Sequence, residues 1–254
     1  EFRGVSVGHL RQTLLAEIER CGLDSDARVY EIEPHVIRPK GAAVRCLRDG
    51  RMGAAYVDSI FGQENAGGAA YMLSYTWGYQ VKDIVETLCD FCKVRDLVHE
   101  ETYIWICCLC INQHRVKEAQ ELGSVVPFEA FEQAFGERVT GIGHIIAMMS
   151  PWHEPLYISR VWCDFEMFTA LHRAQTKVTI VMPPREAASL RQELVGGQGI
   201  KAVWNVLSRL DVEKAQASVS RDRELILELI RDGPGAHKLN TVIAEHLKDW
   251  ILEA

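Results

Sequence analysis

The sequence predicts an α/β fold, a mostly parallel sheet with helices on both faces. From Tyr71 onward, short apolar runs alternate with amphipathic ones, the pattern of βα units. Residues 103–111 are almost continuously apolar, as a strand covered on both faces must be. Residues 177–182 form a further apolar run, stopped by Pro183-Pro184 before a helical pattern.

Leu10, Leu14, Leu15 and Ile18 fall at helical spacing over 9–21, and Gly22 is placed to stop that helix. Residues 29–32 alternate like a short strand before Pro34. Runs 42–47 and 52–57 flank Arg48-Asp-Gly-Arg51, a hairpin signal. Residues 62–70 are small and polar and read as a linker or exposed loop. A strand over 71–75 runs into the loop Thr76-Trp-Gly-Tyr79. Ile84, Val85, Leu88, Phe91 and Cys92 give 83–93 one apolar face, that of a helix against a sheet. The strand at 103–111 ends in Asn112-Gln-His-Arg115. Residues 143–149 contain another strand, with His144 read as an interior histidine, and end at Ser150-Pro-Trp152. A helix carrying Trp162 and Glu166 runs to about His172; the strand at 177–182 and a helix over 185–194 follow. Gly196-Gly-Gln-Gly199 interrupts, and 202–210 resumes. Ser220 can cap 221–231, with Leu225, Ile226, Leu229 and Ile230 as its apolar stripe, and 239–252 form the last helix. This predicts an N-terminal α+β extension at 1–68, an α/β core at 69–184 and a helical C-terminal segment at 185–254 packed on the core.

Composition narrows the function classes. The chain has 254 residues and a net charge of -7, which offers no basic footprint for nucleic acid or an anionic membrane. No apolar run approaches the ~20 residues that span a bilayer. The chain begins Glu1-Phe2 and reads as a fragment. Of the eight cysteines, five crowd into positions 89–110 within apolar patterns, which reads as reduced, buried thiols of a cytoplasmic protein. Cys89-Asp-Phe-Cys92 sits in a helical pattern, and Cys107 and Cys108 would point to opposite faces of a strand, so no metal site is expected. No Walker sequence, H-E-x-x-H or G-x-S-x-G occurs.

In a parallel α/β sheet, ligands bind beyond the carboxyl ends of the strands. Those ends carry Ser74, Tyr75, Trp77 and Gly78, then Asn112, Gln113 and His114, then Ser150 and Trp152. Trp162 and Glu166, four apart, share a helix face beside Val161, Phe165 and Phe168 at core spacing. One carboxylate, several aromatics and neutral hydrogen-bonders, with no clear nucleophile–base pair, suit a planar, hydroxyl-bearing ligand such as a nucleotide.

Leu73-Ser-Tyr-Thr-Trp-Gly78 followed by Trp105-Ile-Cys-Cys-Leu-Cys-Ile-Asn-Gln113 resembles the heterokaryon-incompatibility (HET) pattern L-S-Y-x-W-G then W-I-D-x-x-C-I-N-Q. Ser159-Arg-Val-Trp-Cys-Asp-Phe-Glu166 resembles the W-C-x-x-E segment of Toll/interleukin-receptor (TIR) domains, to which HET domains are related in fold. The resemblance covers about residues 70–183 and departs from the HET pattern at Cys107, where that pattern has Asp. It implies a flavodoxin-like (TIR-like) sheet and cleavage of NAD, as substrate and without a further cofactor, at the nicotinamide–ribose bond. Glu166 matches the catalytic carboxylate, and Ser74, Tyr75, Trp77, Gly78, Asn112, Gln113, His114 and Trp162 are the expected substrate contacts. Nicotinamide leaves as a neutral molecule from a cationic glycoside, so one carboxylate suffices where ordinary glycosidases need two. The Glu166 carboxylate is then expected to open to a cleft shared with Ser74, Tyr75 or Trp77. Activity is expected to depend on self-association as a homo-oligomer. Two other readings stand beside this one: a non-catalytic TIR/HET-like module that signals by homotypic assembly, and a nucleoside-processing enzyme on the same fold, such as a deoxyribosyltransferase.

Overall fold

The structure is a computed structural model that describes residues 2–123, 136–171, 176–197, 201, 205, 208, 210–217 and 220–253. The chain is α/β and forms two compact units: residues 1–73 with 77–143, and residues 74–76 with 144–254. The sequence places its boundaries at 68 and 184; contacts group the first 68 residues with the strands that follow, because the N-terminal strand pairs with them.

In the first unit, β1 (Arg3–Ser6) runs antiparallel to both β2 (Ala66–Gly68) and β4 (Tyr103–Ile106). The β3 strand (Tyr71–Ser74) pairs with β4 in the expected parallel sense, Met72 opposite Trp105. The stretch 62–70 is therefore not a linker. Its Ala-Gly-Gly strand looks loop-like because it is small, and smallness is what the packing requires: a Cβ on Gly67 would sit 2.7 Å from the Tyr103 ring. Tyr103 Oη closes the same corner by donating to the Gln63 carbonyl at 2.5 Å.

Helix α1 spans 7–20, with a π-wound middle at Leu10–Leu14; Leu10, Leu14 and Ile18 are buried, and Gly22 follows at φ 76°. Residues 29–32 are helical rather than extended. They open α2 (29–41), whose Val29, Ile32, Val36 and Ile37 are buried at helical spacing, while the Glu31 carboxylate accepts from the Arg28 N–H at 2.6 Å. Pro34 lies inside this helix, at a π-wound turn (Glu33–Ile37), and does not stop it. The hairpin expected around Asp49-Gly50 is reduced to one bridge, Arg45 with Met52, and Tyr56–Ser59 turns as 3-10 helix.

A buried polar chain ties these pieces together. Ser6 Oγ accepts from the His9 N–H at 3.0 Å and donates to the Glu64 carbonyl at 2.6 Å. His9 Nδ1 lies 2.9 Å from Asn65 Oδ1 and Nε2 lies 2.9 Å from Tyr56 Oη. Tyr56 donates to Glu17 at 2.7 Å, and Lys40 pairs with the other oxygen of Glu17. Tyr56→Phe is expected to destabilise the protein by ~1–3 kcal/mol, because it leaves a buried carboxylate oxygen and an imidazole nitrogen unpaired. The urea midpoint reads this directly, and an unchanged midpoint would show that the chain carries no stability.

Helix α3 (Val81–Val94) buries Ile84, Val85, Leu88, Phe91 and Cys92, as expected. The apolar run at 103–111 is not one strand: it breaks after Ile106 into a single helical turn, α4 (Cys107–Cys110), so Cys107 and Cys108 do not flank a sheet. The Ile106 N–H is satisfied by Cys110 Sγ at 3.4 Å, and Asn112 caps α5 (Gln113–Glu121) by accepting from the His114 N–H. All eight cysteines are free, but Cys21 is exposed and Cys89 and Cys107 are half-buried, so only five are core thiols.

In the second unit, β5 (His144–Met148) and β6 (Lys177–Val181) pair in parallel over five residues, and His144 Nε2 finds Thr179 Oγ1 at 2.8 Å. Helix α6 (Val161–Leu171) follows a 3-10 turn at Tyr157–Ser159; its expected end at His172 lies outside the described residues. It is apolar on nearly all sides, as a helix covered all round must be, and packs against β5, β6 and two C-terminal helices. These are α8 (Ser220–Asp232), which buries Ile226, Leu227 and Ile230, and α9 (Ala236–Glu253). Between them and β6 comes α7 (Pro184–Val195), whose Glu186 accepts from the Trp152 N–H at 2.9 Å. The break expected at Gly196–Gly199 is described only as far as Gly197, and most of 202–210 lies outside the described residues. No helix among the described residues is long and apolar enough to cross a membrane.

Candidate functional site

The second unit brings together Ser74, Tyr157 and Glu166. Ser74 ends β3, which sets its hydroxyl at the carboxyl end of a strand, and it is buried. Glu166 sits in the second turn of α6 and is half-buried. The start of that helix is held from outside: Val161 N–H donates to the Gln216 carbonyl at 3.1 Å, and Gln216 N–H donates to Ser159 O at 2.8 Å. Ser74 Oγ donates to Glu166 Oε2 and lies 2.7 Å from Tyr157 Oη. With the serine proton on the carboxylate, the phenol is the donor in the second bond, so Tyr157, Ser74 and Glu166 form a directed chain.

Burial sets the electrostatics. It pushes the Glu166 carboxyl up to about 7, with the Ser74 hydrogen bond pulling the other way. Tyr157, fully buried, is raised well above its ordinary value by burial first, then by the charges of Cys163 and Glu166. A carboxyl titrating near neutrality can serve as acid, base or counter-charge to a cation, according to pH.

The sequence expects Glu166 to open to a cleft shared with Ser74, Tyr75 or Trp77; the structure gives a hydrogen bond between Ser74 and Glu166. Tyr75, also expected, is buried, and its carbonyl takes the Cys163 Sγ–H at 3.6 Å. Trp162 is half-buried on α6. The other expected contacts belong to the first unit. Trp77 Nε1 donates to Cys107 Sγ at 3.4 Å, and Gly78 follows it in a turn whose Trp77 carbonyl accepts from Tyr30 N–H. Asn112 and Gln113 are buried and satisfy backbone carbonyls, of Gly53 at 2.8 Å and of Cys107 and Ile111, which makes them loop-closing groups. His114 packs on Gly53, and its Nε2 is enclosed without a hydrogen-bond partner.

Tyr157 and Asp164 are not among the residues the sequence singles out. Tyr157 lies in a stretch without periodicity, so nothing marked it. Asp164 was legible in principle: it stands three after Val161 and four before Phe168, on the face assigned to the core. It is fully buried, neither carboxylate oxygen has a partner, and burial alone raises its acid well above the usual range. A concavity of about 160 Å³ in the same unit is lined by His153, Glu154, Ile158, Ser159, Asp211 and Lys214; Glu166 does not line it. Among the described residues, no group of three His, Cys, Asp or Glu is arranged to hold a metal ion.

Fold and site together define an α/β protein with a hydroxyl–carboxyl chain at the end of a strand. No family model, no curated protein and no solved structure matches the chain.

Proposed function

We propose that this chain is a TIR/HET-like enzyme of flavodoxin-like fold that cleaves the nicotinamide–ribose bond of NAD, with Glu166 as the catalytic carboxylate. The observation that carries the reading is the Ser74–Glu166 hydrogen bond: a strand-end hydroxyl orients one side of a carboxyl tuned to about 7. As the glycosidic bond lengthens, positive charge grows on the ribose, and the ionised carboxylate stabilises it or grips a ribose hydroxyl. Nicotinamide departs neutral, so no acid is needed. Water or an adenine nitrogen then captures the ribosyl cation. Ser74 and Tyr157 act as positioning residues that hold the carboxylate plane. Self-association raises activity in this reading, and eight free thiols suit a reducing, cytoplasmic setting.

The test is release of nicotinamide from NAD by the purified chain, followed over a wide range of protein concentration. Turnover that rises more steeply than protein concentration supports an associating enzyme. No release at the highest concentration, with a crowding agent present, would sink the enzymatic reading in favour of a homotypic interaction module.

A further inference from the structure

The buried polar chain of the first unit needs one more proton than its groups ordinarily hold. Asn65 fixes its outer end. The Asn65 side-chain NH2 donates to the Phe61 carbonyl at 2.7 Å and to the Glu64 carboxylate at 2.9 Å, so turning the amide over would face two acceptors with a third. The Asn65 oxygen therefore points at the His9 ring, and the Nδ1 that meets it at 2.9 Å carries a hydrogen. At the inner end, Lys40 pairs with one oxygen of Glu17, and Tyr56 Oη stands 2.7 Å from the other. A phenol has one proton to give. If Tyr56 gives it to Glu17, its oxygen accepts from His9 Nε2 at 2.9 Å and the ring carries two hydrogens. If Tyr56 gives it to Nε2 instead, Glu17 must be protonated to close the remaining gap. Either way, the closed chain holds one proton beyond a neutral imidazole and an ionised carboxylate. The Lys40 ion pair favours the carboxylate, which leaves the ring as the seat of that proton.

We propose that His9, Tyr56 and Glu17 form a proton-loaded latch that holds the edge strand β2 on β1, closed while the extra proton is present and open at the His9–Asn65 link once it leaves. Strand β2 ends the strand order, and Asn65 directly precedes it. The Asn65 carbonyl accepts from the Ser6 N–H at 2.8 Å, so the latch and the first rung of the β1–β2 pairing share a residue. Without the proton, two acceptors stand face to face 2.9 Å apart and repel. The outer link is the one to part, because Asn65 is half-buried and exchanges its partner for water, whereas Tyr56 is enclosed. The proton leaves to solvent from Nδ1. Burial, the largest influence on His9, lowers its pKa; the Asn65 bond and the Glu17 charge raise it, and Lys40 lowers it. Other charges nearby are engaged elsewhere: Glu64 with Asn65, and Asp58 with Arg48. Glu100 lies over Gly8, where a Cβ would meet it at 3.0 Å, and Arg20 acts on Tyr56. Helix α3, packed on α1, brings Cys89 and Cys92, and α4 brings Cys110, all thiols that burial keeps protonated.

The experiment is nitrogen-15 NMR of the whole folded chain from pH 5 to 8.5. The His9 ring nitrogens report their hydrogens, and hydrogen exchange of the Ser6 and Ala66 amides reports whether β2 is closed. While those amides are protected, both ring nitrogens are expected to carry hydrogens. The Nδ1 hydrogen should be lost over the pH interval in which both amides begin to exchange severalfold faster than their intrinsic pH dependence allows. Retention of both hydrogens and of protection up to pH 8.5 is the latch loaded throughout. Asn65→Ala removes the acceptor, so the second hydrogen should be bound severalfold more weakly and Ser6 should exchange fast at every pH. A ring with a single hydrogen at every pH, or loss of the second hydrogen with exchange at Ser6 and Ala66 unaltered, would overturn the proposal. So would an unmoved titration in Asn65→Ala. The wild-type titration decides the matter even if that variant fails to fold.

Discussion

Glu166→Gln is expected to lower nicotinamide release at least about a hundredfold, the scale seen when one preorganised electrostatic group is removed from a transition state. Gln keeps the size of the side chain and can still accept from Ser74, so folding and ground-state binding should survive while the charge is lost. The wild-type rate should rise with pH around a midpoint of about 7, because the ionised carboxylate is the working form and burial places its titration there. Ser74→Ala removes the hydrogen bond that lowers the Glu166 pKa, so the rising limb should move to higher pH. A merely structural serine would lower the rate at every pH without moving the limb. Equal release from the Gln variant would remove Glu166 from the mechanism, whatever the chain proves to cleave.

Stability is expected to fall as pH rises from about 4.5 to 7, through Glu166 and Asp164. Both acids have folded-state pKa values above their ordinary ones, so the native state holds protons that the unfolded chain releases. Their stabilisation is complete below the ordinary carboxylate range and is lost as pH climbs toward the folded values. Each group contributes a slope of at most about 1.4 kcal/mol per pH unit. For Glu166, titrating from 4.5 to about 7, the loss is roughly 3 kcal/mol at most, and less because the residue is half-buried. Asp164 continues the fall to higher pH, since its buried oxygens have no partner to stabilise the charge. Asp49, held low by Arg115, acts in the opposite sense at lower pH, so wild type and variants must be compared at each pH. Urea unfolding from pH 4.5 to 8 should show flatter curves for Glu166→Gln and Asp164→Asn than for wild type. Parallel curves would mean that neither acid titrates abnormally.

Where apolar spacing has one meaning, sequence and structure agree: α3, β5 and β6 lie where that spacing puts them. The two differ where short segments carry two meanings. Val29, Ile32, Val36 and Ile37 mark one helical face, but 29–32 also alternate like a strand before Pro34, and a π-wound turn absorbs that proline. Residues 103–111 are apolar throughout, and nothing local tells a buried strand from a strand followed by a buried helical turn. Ala66-Gly-Gly68 has no strand propensity at all; it pairs because β1 offers a ladder and Tyr103 needs the space above Gly67.

The α/β class, the strand whose end carries Ser74 and the helix that carries Glu166 are legible in the chain, because alternation and spacing are local properties. Ser74 and Glu166 both stand among the residues expected at the site, although 92 residues separate them. That a hydroxyl meets that carboxyl, that Tyr157 stands behind it, and that Asn112 and Gln113 close a loop instead follow from how distant segments pack. Burial sets the rest: the same carboxyl in water would be ionised at neutral pH, and enclosure, opposed by the Ser74 hydrogen bond, raises it to about 7. Desolvation depends on every neighbour at once, and no window of sequence contains it.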